Sequence, residues 1–113
     1  MQENKDLLHI LIIDDDAVDQ MTIKRSLAKT SLQTQIYTAD TAKKGLQMLQ
    51  ENHFNCVFLD FKLPDMDGLE LLQKVQEMKI SVPMLVVTSH GDERIAANAF
   101  RYGAADYLSL IHI

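Results

Sequence analysis

The run LLHILII, Leu7 to Ile13, is apolar apart from one histidine and stops at three consecutive aspartates, Asp14, Asp15 and Asp16. A short Leu- and Ile-rich run of this kind predicts a buried strand whose carboxyl end carries the acids. From Asp16 to Lys29 the apolar positions Val18, Met21, Ile23, Leu27 and Ala28 recur at mostly helical spacing, with Asp16 suited to the N-cap. TQIYTA then reads as a short strand. Thr41 can cap a second helix that carries Ala42, Leu46 and Leu49 on one face. CVFLD is another continuous apolar strand, ending in Asp60, and FKLPDMDG follows as a loop with both Pro64 and Gly68. Leu69, Leu72, Val75 and Gln76 suggest a third helix. MLVVTS is a strand whose last residues turn polar at Thr88 and Ser89. Gly91 to Tyr102 is helical in pattern, with Gly103 placed for the C-terminal cap, and DYLSLIHI reads as a fifth strand.

Five strands alternating with four helices predict an α/β domain, a doubly wound parallel sheet with right-handed crossovers. In such sheets ligands bind outside the carboxyl ends of the strands, near the point where strand order reverses. Asp14, Asp15, Asp60 and Thr88 all fall at such ends. The chain shows no internal repeat, low-complexity stretch or linker.

Length and composition narrow the picture. The 113 residues leave room for one domain, spanning 1–113, and 47% hydrophobic with 24% charged residues is ordinary for a chain that buries a core. Cys56 is the single cysteine, which excludes an internal disulfide and a cysteine-based zinc site. No apolar run approaches the roughly 20 residues of a membrane helix, and the start MQENKD has no signal-peptide layout. A cytoplasmic location is therefore expected, with no membrane partner. The formal charge of −5 disfavours direct binding to nucleic acid.

The acids are the informative part of that charge. Carboxylates gathered at one edge of a sheet repel one another, so they must take up protons or be compensated by a cation. Mg2+ fits, because it takes oxygen ligands and is usually held by one or two carboxylates plus phosphate. Asp15 and Asp60 can supply those ligands. Helix capping explains one or two of Asp14, Asp15 and Asp16, but not a further acid at another strand end. A carboxylate beside a bound cation can attack a phosphoryl group and become an acyl phosphate. Thr88 can then donate a hydrogen bond to a phosphoryl oxygen. Asp19, one turn along the first helix, is expected to face water.

With the Asp14–Asp15 pair after ILII, Asp60 before FKLPDMDG, Thr88 after LVV, and GAADYL at 103–108, the chain resembles a receiver domain of a two-component response regulator. The matching residues span nearly the whole chain in the family's order. The resemblance implies a flavodoxin-like fold with strand order 2-1-3-4-5. It implies Asp60 as phosphoacceptor, Thr88 as phosphate-sensing hydroxyl and Tyr107 as switch aromatic. Asp14, Asp15, Asp60 and the Lys62 backbone carbonyl would hold Mg2+. The implied partner is a histidine kinase or phosphotransfer protein, and the protein would be no enzyme beyond assisting its own phosphorylation and dephosphorylation.

Two departures stand out. Leu110 occupies the place of a lysine that in the family pairs with the acceptor aspartate and the phosphoryl oxygen. The alternative function is therefore a receiver-like interaction module that no longer signals by phosphate. The chain also ends at Ile113, where the family would continue into a fifth helix. An apolar strip is then expected beside the first helix, and with it a homodimer or domain-swapped assembly.

Other chemistry has less support. His9, His53, His90 and His112 have no zinc-site spacing, and Ser89 and Ser109 lack a triad context. Cys56 reads as a small core residue. A haloacid-dehalogenase-type enzyme is suggested superficially by Asp14-x-Asp16, but Ala17-Val18 offers no hydroxyl and the chain is short for that fold.

Overall fold

The computed structural model describes residues 7–88 and 93–109. Each apolar run becomes a strand: β1 (Leu8–Ile13), β2 (Thr34–Ala39), β3 (Cys56–Asp60), β4 (Met84–Thr88) and β5 (Asp106–Ser109). Each stretch of helical spacing becomes a helix: α1 (Ala17–Ala28), α2 (Ala42–Glu51), α3 (Gly68–Glu77) and α4 (Glu93–Arg101). The strands form one sheet in the order β2-β1-β3-β4-β5. Every neighbouring pair is parallel. This is a flavodoxin-like α/β architecture. Because β1 lies between β2 and β3, strand order reverses between β1 and β3, which is where such sheets open a crevice.

The period of two along each strand divides the core in two. Leu11, Ile13, Val57, Leu59, Met84 and Val86 point into a large cluster with Ala42 and Leu49 of α2, Leu71, Leu72 and Val75 of α3, and Ala99 of α4. Ile12 and Val87, on the alternate positions, pack with Ile23 of α1 in a much smaller cluster. Beside α1 a groove of about 250 Å³ is lined by Thr22, Ile23, Ser26, Leu27, Thr30, Phe58 and Val87, the apolar strip expected there.

The sequence pattern misjudges α1. Val18, at 72% exposed, and Met21 lie on the surface, and so does Ala28, leaving Ile23 fully buried and Leu27 half-buried. The reason is angular: positions 18, 21 and 25 share one face of a 3.6-residue helix, and 23 and 27 share another. Cys56 is half-buried and not a core residue, and burial pushes its thiol pKa up. β5 ends at Ser109, so the expected continuation through Leu110 lies outside the described residues.

The helix ends follow their capping chemistry. Asp16 accepts from the Val18 amide at 2.7 Å, and Thr41 from the Lys44 amide at 3.1 Å. Gly103, expected at the end of α4, adopts φ 97°, and the Ala104 amide reaches back to Ala99 O at 2.9 Å.

Candidate functional site

The acids meet because of the strand order. Ile13 pairs with Leu59, so the residues that follow them, Asp14 and Asp60, leave the sheet side by side at its carboxyl edge. One carboxylate oxygen from each of Asp14, Asp15 and Asp60 lies within 4.8 Å of the others. Among the described residues this is the one cluster of three or more such side chains able to hold a metal ion.

The three carboxylates differ in environment. Asp14 is 1% exposed and Asp60 9%, whereas Asp15 faces solvent. Burial pushes the Asp14 pKa up to about 7, helped by the charges of Asp60, Asp19 and Asp15, while the hydrogen bond from the Asp16 amide pulls the other way. Burial also raises Asp60, to about 6, with Asp19 and Asp15 adding repulsion and the Lys62 and Phe61 amides opposing it. Asp19 is thus half-buried and electrostatically part of the site, not the water-facing residue the pattern suggested. At one turn beyond Asp15, α1 turns it back toward the acids.

The turn that presents Asp14 and Asp15 is fastened twice. Asp14 Oδ1 accepts from the Asp16 amide at 2.8 Å, and Gln20 Nε2 donates to the Asp14 carbonyl at 2.5 Å. Gln20 is a site-building residue that sequence reading missed. Its only signal is a polar side chain one turn past the N-cap of α1.

The loop after Asp60 is closed on itself. Lys62 forms an antiparallel bridge with Asp67, the Gly68 amide donates to Phe61 O at 2.6 Å, and Asp67 caps α3 through the Glu70 amide at 2.9 Å. Asp65, also unnoticed in the sequence, accepts from the Ala42 amide at 2.8 Å and the Lys43 amide at 2.9 Å. What burial it has acts against ionisation, but those amides hold its carboxyl below the usual range.

Thr88 ends β4 on the strand next to Asp60, and Tyr107 sits in β5 opposite Val86. The side chains of Thr88 and Tyr107, and Leu110 and His90 altogether, lie outside the described residues. His9 and His53 are far from the acids in the fold, lining a cavity with Tyr37 and Phe54 at the amino end of β1 and β3.

A family model of the response regulator receiver domain matches residues 10–109. The chain belongs to this family. It is 34% identical over 100 residues to the transcriptional regulatory protein FixJ of Bradyrhizobium diazoefficiens, covering 88% of this chain and 48% of FixJ. Its likeness to the transcriptional regulatory protein SrrA of Staphylococcus aureus is 32% over 99 residues, covering 88% and 40%. The receiver chain therefore spans less than half the length of these relatives. Among solved structures it resembles a CheY-like response regulator receiver domain protein from Methanospirillum hungatei, with TM-score 0.78, 30% identity, and coverage of 96% and 85%. A putative response regulator from Chloroflexus aurantiacus superposes with TM-score 0.83 at 26% identity, covering 93% and 86%. Among the described residues no helix of the receiver is long and apolar enough to cross a membrane.

Receiver domains bind Mg2+ at an acidic pocket, and the residues of this one fit such an ion. The donors are hard carboxylate oxygens close enough to share one cation. Two of them are buried against their preference for charge, so a cation would relieve a cost already built into the fold.

Proposed function

We propose that this receiver accepts a phosphoryl group on Asp60 from a partner histidine kinase, a phosphotransfer protein or a small phosphodonor. The observation that carries this reading is the convergence of Asp14, Asp15 and Asp60 at the switch point of a receiver fold. An Asp60 carboxylate oxygen attacks phosphorus, a P–O acyl phosphate bond forms, and the donor's P–N or P–O bond breaks, its electron pair leaving with the donor. The donor atom takes up a proton from solvent where it needs one. Asp14, Asp15, Asp60 and the Lys62 carbonyl would hold Mg2+, which would neutralise charge shared between the carboxylates and the transferring phosphoryl group.

The chain's own work is positioning. The Asp14–Asp16 turn, locked by Gln20, aims two acids, and the Lys62 and Phe61 amides hold the Asp60 carboxylate. Thr88 would bond the new phosphoryl oxygen and Tyr107 would follow it, changing the surface near β5. Val18 and Met21 add exposed apolar surface on α1, directly after the acids, where a partner protein could dock.

Incubation with acetyl phosphate and Mg2+, followed by intact mass, should add one phosphate to the wild type and none to Asp60→Asn. An equal gain in both would overturn the assignment. No gain in either would favour the silent interaction module suggested by Leu110.

The groove beside α1 favours a second element of the reading, self-association. Two such faces paired about a two-fold axis would bury Leu27 and Phe58 of each copy. Light scattering should show a dimer mass at high micromolar concentration. A monomer mass there, with a melt independent of concentration, would remove the proposal.

A further inference from the structure

The loop joining Asp60 to α3 has two kinds of tie. Those within the loop, Lys62 to Asp67, Gly68 to Phe61 and Asp67 to Glu70, make it a small rigid unit. Phe61, Leu63 and Met66 also rest against the main core, a contact that holds the loop down without fixing which helix it meets. The hydrogen-bonded tie to α2 is Asp65, whose two carboxylate oxygens accept the Ala42 and Lys43 amides at 2.8 and 2.9 Å, more than twenty residues back in the chain.

Helix α2 does not need this residue as its N-cap. Thr41 already caps it through the Lys44 amide at 3.1 Å, the usual solution for a helix start. What α2 lacks is an acid of its own in the first turn, and Asp65 supplies that charge from another loop, satisfying two amides at the helix start. The far end of the loop presses on the acceptor. A Cβ on Gly68 would lie 3.0 Å from Asp60 O and 3.0 Å from Phe61 Cα, so the glycine backbone is in direct contact with the chain at Asp60. A shift of the loop at Gly68 would therefore meet the Asp60–Phe61 backbone directly.

We infer that Asp65 is a positioning residue for the phosphoryl-acceptor site, clamping the Asp60 loop to the amino end of α2. This rests on the phosphoacceptor reading above. The clamp places the Lys62 backbone and the Asp60 carboxylate relative to Asp14 and Asp15. By linkage, loading the acid pocket also tightens the contact of Asp65 with α2.

The test compares Asp65→Ala with Thr41→Ala in the full chain. Both remove hydrogen bonds from the start of α2, so both should lower the melting temperature in metal-free buffer to a similar extent. Only Asp65→Ala should weaken Mg2+ binding, by about tenfold as loss of an outer-shell partner does, read by calorimetry. Asp65→Asn, which keeps one good acceptor, should fall between it and wild type. Amide hydrogen exchange provides a second readout: Mg2+ should slow exchange at Ala42 and Lys43 in wild type but not in Asp65→Ala. If Thr41→Ala and Asp65→Ala leave Mg2+ affinity equally unchanged, Asp65 is only a helix cap and the inference falls. If wild type binds no Mg2+ and takes no phosphate, the phosphoacceptor reading fails and the clamp falls with it. A wild type that binds and is labelled, beside an unaffected Asp65→Ala, rejects the clamp alone.

Discussion

The two ends of the sheet are built on opposite terms. At the amino end the polar groups satisfy one another: the His9 amide donates to Asn55 Oδ1 at 2.7 Å, and the Asn55 amide donates back to His9 O at 2.8 Å. The rings there pack in sequence, His9 stacked on Tyr37 at 6.0 Å and Tyr37 edge-on to buried Phe54 at 5.5 Å. At the carboxyl end the neighbouring strands β1 and β3 run out into carboxylates, and Asp14 and Asp60 are buried together, with Asp15 and Asp19 adding to the repulsion. One end spends its polar groups on holding the strands in place. The other holds a cost that a cation can relieve, the usual trade between stability and function.

The largest effect expected from this contrast is a pH-dependent stability that belongs to the carboxyl end. The folded pKa values of Asp14 and Asp60, about 7 and about 6, lie above the ordinary 3.8. Between those values the folded state binds more protons than the unfolded state, so stability falls as pH rises and levels off above about pH 7. Below about pH 4 the sign reverses for Asp65, whose lowered pKa means that acid releases α2. Asp14→Asn keeps the acceptor for the Asp16 amide and removes the charge, so it should stabilise the metal-free receiver at pH 7.5 by on the order of 1–3 kcal/mol. That gain should shrink severalfold near pH 4.5, and Mg2+ should stabilise wild type more than the variant. Urea unfolding at the two pH values decides it. A wild type whose stability rises from pH 4.5 to 7 would break the contrast.

How much of this was legible follows the same division. The apolar runs and their terminal acids were readable because a buried parallel strand needs little besides apolar residues and a clear end. The caps at Asp16, Thr41 and Gly103 were readable because capping is local chemistry between residues a few positions apart. Asp65 and Gln20 were not. Asp65 acts on α2 across more than twenty residues, and nothing in FKLPDMDG says which helix its carboxylate will reach. The inward turn of Asp19 and the outward turn of Val18 depend on the rotation of α1 against the sheet, which a helix with so few buried residues specifies weakly. The roles proposed for Asp60, Thr88 and Tyr107 rest on the family pattern and not on periodicity.

A smaller effect sharpens the comparison from the amino end. Asn55 is exposed, and its side chain offers the His9 amide an acceptor where β1 has not yet paired with β3. Asn55→Ala removes that acceptor, yet water can reach the freed amide, so the cost should be about 1 kcal/mol, the net value of one hydrogen bond. Asn55→Asp keeps an acceptor and should recover most of it. Neither variant touches a group at the acid pocket. The loss should therefore be the same at pH 5 and pH 7.5, the same with and without Mg2+, and should leave phosphate uptake from acetyl phosphate at the wild-type level. If Asn55→Ala weakens Mg2+ binding, or costs more in one protonation state of Asp14 than the other, the two ends are coupled through β1. The sheet would then be one energetic unit, not a satisfied end carrying a strained one.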